Sequence, residues 1–148
     1  MNTPKNQSIT SDPSLSGAEI MRQFLPNSPY VGHLGIQLTD MQPDIAVLTL
    51  PFTPAIATLG TIVHGGAIAS LIDTAAMVAA WSNAGVQNNP RGTTVGLTVN
   101  YLSAGNGEDL VATARVLRRG RSLVYLDIDV LSTSGNAVAK GLVTYKLG

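Results

Sequence analysis

From Gly66 to Trp81 the chain places Ala, Ile, Leu, Met and Val on every side of a helical projection, and the one charge in that stretch is Asp73. A helix of this pattern is buried all round. Taking a lone carboxylate out of water costs several kcal/mol unless it is paired, hydrogen-bonded or put to use. Its neighbours three and four positions away are Ala69, Ser70, Ala76 and Met77, mostly small and apolar. Asp73 is therefore either a structurally hydrogen-bonded helix residue or a group kept for chemistry.

With 148 residues the chain suits one domain with a substantial core. Nine basic and nine acidic residues give no net charge, so no global field draws nucleic acid or an anionic membrane, and any anion site is local. Cysteine is absent and only His33 and His64 represent histidine, which excludes thiolate chemistry and leaves no metal-ligand spacing. Residues 1–17 are polar and lack the basic start and apolar centre of a signal peptide, so a cytoplasmic location is expected. The apolar stretch is short for a membrane span and is interrupted by Ser70, Asp73 and Thr74.

Along the chain, a flexible tail over residues 1–13 precedes a single domain over residues 14–148. A short amphipathic helix is expected from Ser14 to Leu25, then strands over His33–Met41 and Ile45–Leu50, joined at Gln42-Pro43-Asp44. The apolar helix follows from Gly65 to Asn83. Beyond it the sequence alternates: Val95, Leu97, Val99 and Tyr101 share one parity, Thr94, Gly96, Thr98 and Asn100 the other, and Val124 to Val130 repeats the pattern. Turns at Ala104–Gly107, Arg119–Arg121 and Ser134–Asn136 divide this region into four strands. A six-strand antiparallel sheet covers one side of the helix; a second copy of the chain is the simplest cover for the other.

These residues together resemble the hotdog-fold acyl-CoA thioesterases of the phenylacetate-degradation (PaaI-like) group. The resemblance rests on His33-Leu34-Gly35-Ile36, on Val63-His64-Gly65-Gly66 with Leu71 and Asp73, on Thr98-Val99-Asn100-Tyr101-Leu102-Ser103, and on Val116 to Leu123 with its Arg118-Arg119-Gly120-Arg121. It implies an α+β hotdog fold, a long central helix wrapped by a curved six-strand antiparallel sheet, with active sites at the interface of a homodimer, which either stands alone or pairs further into a homotetramer. The implied activity is hydrolysis of an acyl- or aryl-acyl-CoA thioester, with no cofactor beyond the coenzyme A carried by the substrate.

Carried over position by position, Asp73 matches the catalytic carboxylate, Gly65 the N–H that binds the thioester oxygen, and His64 the residue that starts the helix. Thr94 matches a Ser or Thr near the carboxylate. The family pattern has Asn six residues before this His and a Gly-Thr segment one residue shorter. Here Thr58 holds that spacing, and Ala57 is the alternative match.

The residues themselves suggest the same chemistry. Gly65 and Gly66 admit close approach of a ligand, and N–H groups at a helix start lack intrahelical partners, so a carbonyl placed there gains as negative charge develops. His64 acts either as an N-cap or in proton transfer. Arg118, Arg119 and Arg121, with Gly120 and Ser122, form either a solvated hairpin tip or a site for coenzyme A phosphates, with Asn100, Tyr101, Leu102, Ser103 and Ala104 offering backbone contacts to the same moiety. Eight helical residues separate Gly65 from Asp73, about 12 Å at about 1.5 Å each. One chain cannot bring both to one carbonyl, whereas two antiparallel helices about a two-fold axis can. Asp73 then serves as nucleophile or general base. The alternative is a hotdog protein that binds acyl-CoA without hydrolysing it.

Overall fold

The computed structural model describes residue 12, residues 14–85 and residues 90–148. The expected tail over residues 1–13 lies, apart from Asp12, outside the described residues. The first helix, α1 (Gly17–Phe24), starts where Ser16 and Glu19 form a capping box: Glu19 N–H donates to the Ser16 hydroxyl, and Ser16 N–H to the Glu19 carboxylate at 2.8 Å. A second short helix, α2 (Pro29–Leu34), follows, with Pro29 in its first turn and Gly35 ending it at φ 73°. His33 and Leu34 thus lie on a helix and not on the expected strand, because Pro29 and Gly35 frame a helical turn that buries Val31 and Leu34.

The sheet contains β1 (Gln37–Gln42), β2 (Ile45–Leu50), β5 (Gly92–Tyr101), β6 (Leu110–Arg119), β7 (Leu123–Ser132) and β8 (Ala137–Leu147), arranged β1-β2-β6-β7-β8-β5, all antiparallel. A small hairpin, β3 (Ala57–Leu59) with β4 (Ile62–Val63), leads into the long helix α3 (Gly65–Ser82). The sequence reading gave no strand to this hairpin, whose pieces are too short to show alternation. The Pro43-Asp44 turn is held by Asp44 at φ 67°, its carboxylate accepting from Arg119 and Asn83 and its N–H donating to the Ser82 hydroxyl.

The inner sheet face presents Leu48, Leu50, Ala112, Ala114, Leu126, Ile128 and Val143, all buried against α3. Small residues let helix and sheet approach closely. A Cβ built on Gly141 of β8 would lie 2.5 Å from Cγ2 of the fully buried Ile72. Gly141→Ala is therefore expected to destabilise by about 1–3 kcal/mol through overpacking, although Ala is intrinsically no worse in a strand. Urea denaturation checks this; unchanged stability would show that Ile72 has room to move.

α1 covers part of the far side of α3, packing so tightly that a Cβ on Gly17 would sit 2.1 Å from the Trp81 carbonyl oxygen. Within the single chain α3 is covered except along one stripe. Gly66 is exposed, and Ala69, Ser70, Asp73, Thr74 and Met77 are only partly covered. The carboxylate sits on that stripe.

Candidate active site

At the start of α3 the N–H groups of Gly66, Ala67 and Ile68 each have an acceptor. His64 is the N-cap, and its Nδ1 accepts from Gly66 N–H at 2.8 Å; its carbonyl accepts from Ala67 and Ile68. Gly65 N–H has no partner among the described residues. Of the two glycine N–H groups expected to lack intrahelical partners, that of Gly66 is taken by the capping imidazole. The acceptor role leaves Nδ1 without a proton and makes His64 a cap. Gly66 is required for it, since a Cβ there would lie 2.9 Å from Nδ1.

Two tyrosines reach the same turn. Tyr101, at the end of β5, donates from Oη to the Gly65 carbonyl at 2.7 Å. Ser70 donates its one hydroxyl hydrogen to the Gly66 carbonyl at 2.8 Å, so in the 2.9 Å contact between Tyr30 and Ser70 the phenol is the donor. Tyr30 and Ser70 were not picked out in the sequence, where nothing links positions 40 residues apart.

One turn beyond Ser70, Asp73 is half-buried, and its Oδ1 accepts from Thr94 Oγ1 at 2.6 Å. Oδ2 has no partner among the described residues. Strict alternation would turn Thr94 away from the helix, but the register shifts between Thr94 and Gly96, leaving Val95 as an extra residue. This β-bulge puts Thr94 on the same inner face as Leu97, Val99 and Tyr101. Burial pushes the nearby Tyr145 phenol up and the Asp73 charge adds to that, so it stays neutral while accepting from Trp81 Nε1 at 3.0 Å.

A second bulge sorts the arginines. The register of β6 shifts between Val116 and Arg118, so Leu117 and Arg118 both face outward, with Arg118 opposite Tyr125, and Arg119 turns inward opposite Val124. Arg119 is then bound to Asp44 through Nε at 3.1 Å and Nη2 at 2.7 Å, which commits it to the β1–β2 turn. Arg118 and Arg121 make no ion pair among the described residues and flank an open hollow of about 540 Å³ with Gly120, Ser122, Leu123 and Tyr125.

The other expected contacts are more constrained. Leu102 and Ser103 N–H groups already donate to the Val138 carbonyl and the Ser103 hydroxyl to that of Ala137; Asn100 and Ala104 are exposed. Thr58 lies at a register shift in β3, exposed, and makes no hydrogen bond to His64, Gly65 or Asp73. Among the described residues no three His, Asp or Glu side chains gather as a metal site would require.

A family model described as thioesterase superfamily matches residues 60–139, more than half of the chain, including Gly65, Asp73, Thr94, Arg118 and Arg121. The chain belongs to the thioesterase superfamily. Within the superfamily it is 33% identical over 92 residues to acyl-coenzyme A thioesterase 13 of Mus musculus, a match spanning 61% of this chain and 63% of the mouse protein. It is 26% identical over 138 residues to the medium/long-chain acyl-CoA thioesterase YigI of Escherichia coli, covering 84% and 89% of the two chains. The E. coli PaaI protein of the phenylacetic acid degradation operon superposes with a TM-score of 0.71 at 26% identity, over 84% of this chain and 92% of that one. The long helix against a six-strand antiparallel sheet is the hotdog arrangement of these superfamily members.

Proposed function

We propose that this chain hydrolyses acyl-CoA thioesters to a free acid and coenzyme A, in sites shared between two subunits. The observation that carries the reading is a pair of groups on the open stripe of α3 that have no partner among the described residues: the N–H of Gly65 and Oδ2 of Asp73. One can accept negative charge developing on a carbonyl oxygen; the other can attack the carbonyl carbon or take a proton from water. In the general-base form, the water oxygen bonds to the carbonyl carbon as its proton passes to Asp73, the C–S bond then breaks, and the thiolate leaves. The names of the relatives support acyl-CoA as the substrate class.

Geometry within one chain separates the parts. Tyr101, at one end of β5, touches Gly65, while Gly92 at the other end pairs with Leu147, whose N–H donates to the Ser122 carbonyl. The arginine hairpin and the Gly65 turn are therefore a β5 length apart, about 30 Å at about 3.3 Å per residue. An antiparallel partner helix across a two-fold axis would lay its Gly65 beside this chain's Asp73, with Arg118 and Arg121 on the Asp73 side. The bare outer edge of β5, carrying exposed Val95 and Leu97, supports pairing with a second copy. On the outer sheet face Leu117, Tyr125 and Leu142 are 62%, 40% and 53% exposed, an apolar surface that pairing of two dimers would cover.

The test is release of free thiol from a panel of acyl-CoAs. With the best ester, Arg118→Ala and Arg121→Ala are expected to raise KM roughly three- to tenfold with kcat within about twofold, because contacts to phosphates far from the carbonyl stabilise ground and transition states alike. Arg119→Ala, by contrast, should lower stability through the loss of its bond to Asp44. Unchanged KM in both single variants at low salt would leave the hairpin as a solvated tip. The second reading, acyl-CoA binding without hydrolysis, is favoured by the detached Thr58, and tight binding with no thiol release would establish it.

A further inference from the structure

The geometry points to Tyr101 as a positioning residue for the Gly65 N–H, an inference that rests on reading that N–H as the oxyanion donor. Four hydrogen bonds fix the peptides on either side of Gly65. The His64 carbonyl, in the same peptide plane as the Gly65 N–H, is gripped by Ala67 and Ile68. The next plane is held at both ends, its N–H by His64 Nδ1 and its carbonyl by Tyr101 Oη. Two of these grips come from the first turn of the helix itself. Among the described residues, the phenol is the hydrogen bond that ties Gly65 to the sheet.

Gly65 needs that tie because a glycine at a helix end has wide conformational freedom and helix ends fray. The tyrosine ring also occupies the space a side chain would use: a Cβ on Gly65 would lie 3.2 Å from Tyr101 Cζ. Bare Gly65 and Tyr101 are therefore matched. The glycine leaves its N–H side open to a ligand, and the ring backs its other side. An oxyanion donor works only if aimed before the charge forms, and removing one such donor costs about 10²–10³-fold in kcat. Loosening its aim costs less than removing it.

Tyr101→Phe keeps the ring and deletes the side-chain donor to the Gly65 carbonyl, leaving that carbonyl its i→i−4 bond within the helix. The expected result is a fall of roughly tenfold in kcat with KM within about twofold, together with a shifted Gly65 amide resonance in a ¹H–¹⁵N spectrum. Melting temperature and dimer mass should be unchanged, since Tyr101 is 54% exposed in the single chain. A purely structural role would move stability instead, and a contact to coenzyme A would raise KM alone. Either of those outcomes overturns the proposal, as does kcat within twofold of wild type or an unmoved Gly65 amide. Tyr101→Leu, lacking both ring and hydroxyl, carries the same measurements should the Phe variant not fold. The amide readout needs no substrate, so it judges the clamp even if the wild-type protein proves not to hydrolyse acyl-CoA.

Discussion

Asp73→Asn is expected to lower kcat for thioester hydrolysis by about 10³-fold or more while leaving the fold intact. The two side chains have nearly the same shape, and the amide oxygen can still accept from Thr94 Oγ1, which holds Oδ1 at 2.6 Å in the wild type. What changes is the second atom. Oδ2, with no partner among the described residues, becomes an NH₂ that can neither attack carbon nor take a proton. General-base catalysis alone is worth about 10²–10⁴-fold, and a lost nucleophile costs at least as much. Steady-state kinetics on the best acyl-CoA, with circular dichroism to confirm the fold, decide the point: wild-type kcat in the Asn variant would exclude Asp73 from the chemistry.

The second large effect is a recovery of activity. Mixing Asp73→Asn subunits with Gly65→Pro subunits, through unfolding and refolding, should restore up to about a quarter of wild-type activity from two inactive parents. Half of randomly paired dimers are mixed, and by two-fold symmetry each mixed dimer holds one site with both defects and one with none. Proline suits the position, since Gly65 opens α3 and His64 before it has φ −61° and ψ 134°. Its ring must press Tyr101 back by a few tenths of an ångström, because a Cβ there lies 3.2 Å from Cζ, so the Pro parent is first shown to fold and dimerise. Mixed dimers confirmed by mass but without activity would place both groups in the same subunit's site, and so would full activity in a monomer.

Much of this arrangement was legible in the residues. The core helix, its start at His64 and the strands after Gly92 follow from hydrophobic period and turn chemistry, and the lone carboxylate in an apolar run marked Asp73. Alternation alone, however, turned Thr94 away from Asp73 and gave no way to rank three arginines. Both limits of alternation have one cause: Val95 and Leu117 are extra residues in their ladders, and an inserted residue leaves no trace in a local pattern whose period it breaks. The hydroxyl bonds from Tyr30 and Tyr101 to the helix start were illegible for a different reason. They join positions 40 and 36 residues apart, and their partners are a serine hydroxyl and a main-chain carbonyl, which place no demand on the sequence around them.

The bulge at Leu117 also changes how this hairpin should be compared with others. Arg118 and Arg119 are chemically identical and adjacent, yet one faces open solvent beside a hollow and the other is bound to a turn. The difference is held entirely by strand register. With the extra residue moved from before Arg118 to beyond Arg119, the two arginines would exchange faces without either being substituted, while an alignment matching the arginines column by column would record them as unchanged. In this hairpin the place of the bulge, and not the identity of the arginines, decides which of the two is the free cation and which is bound to the turn.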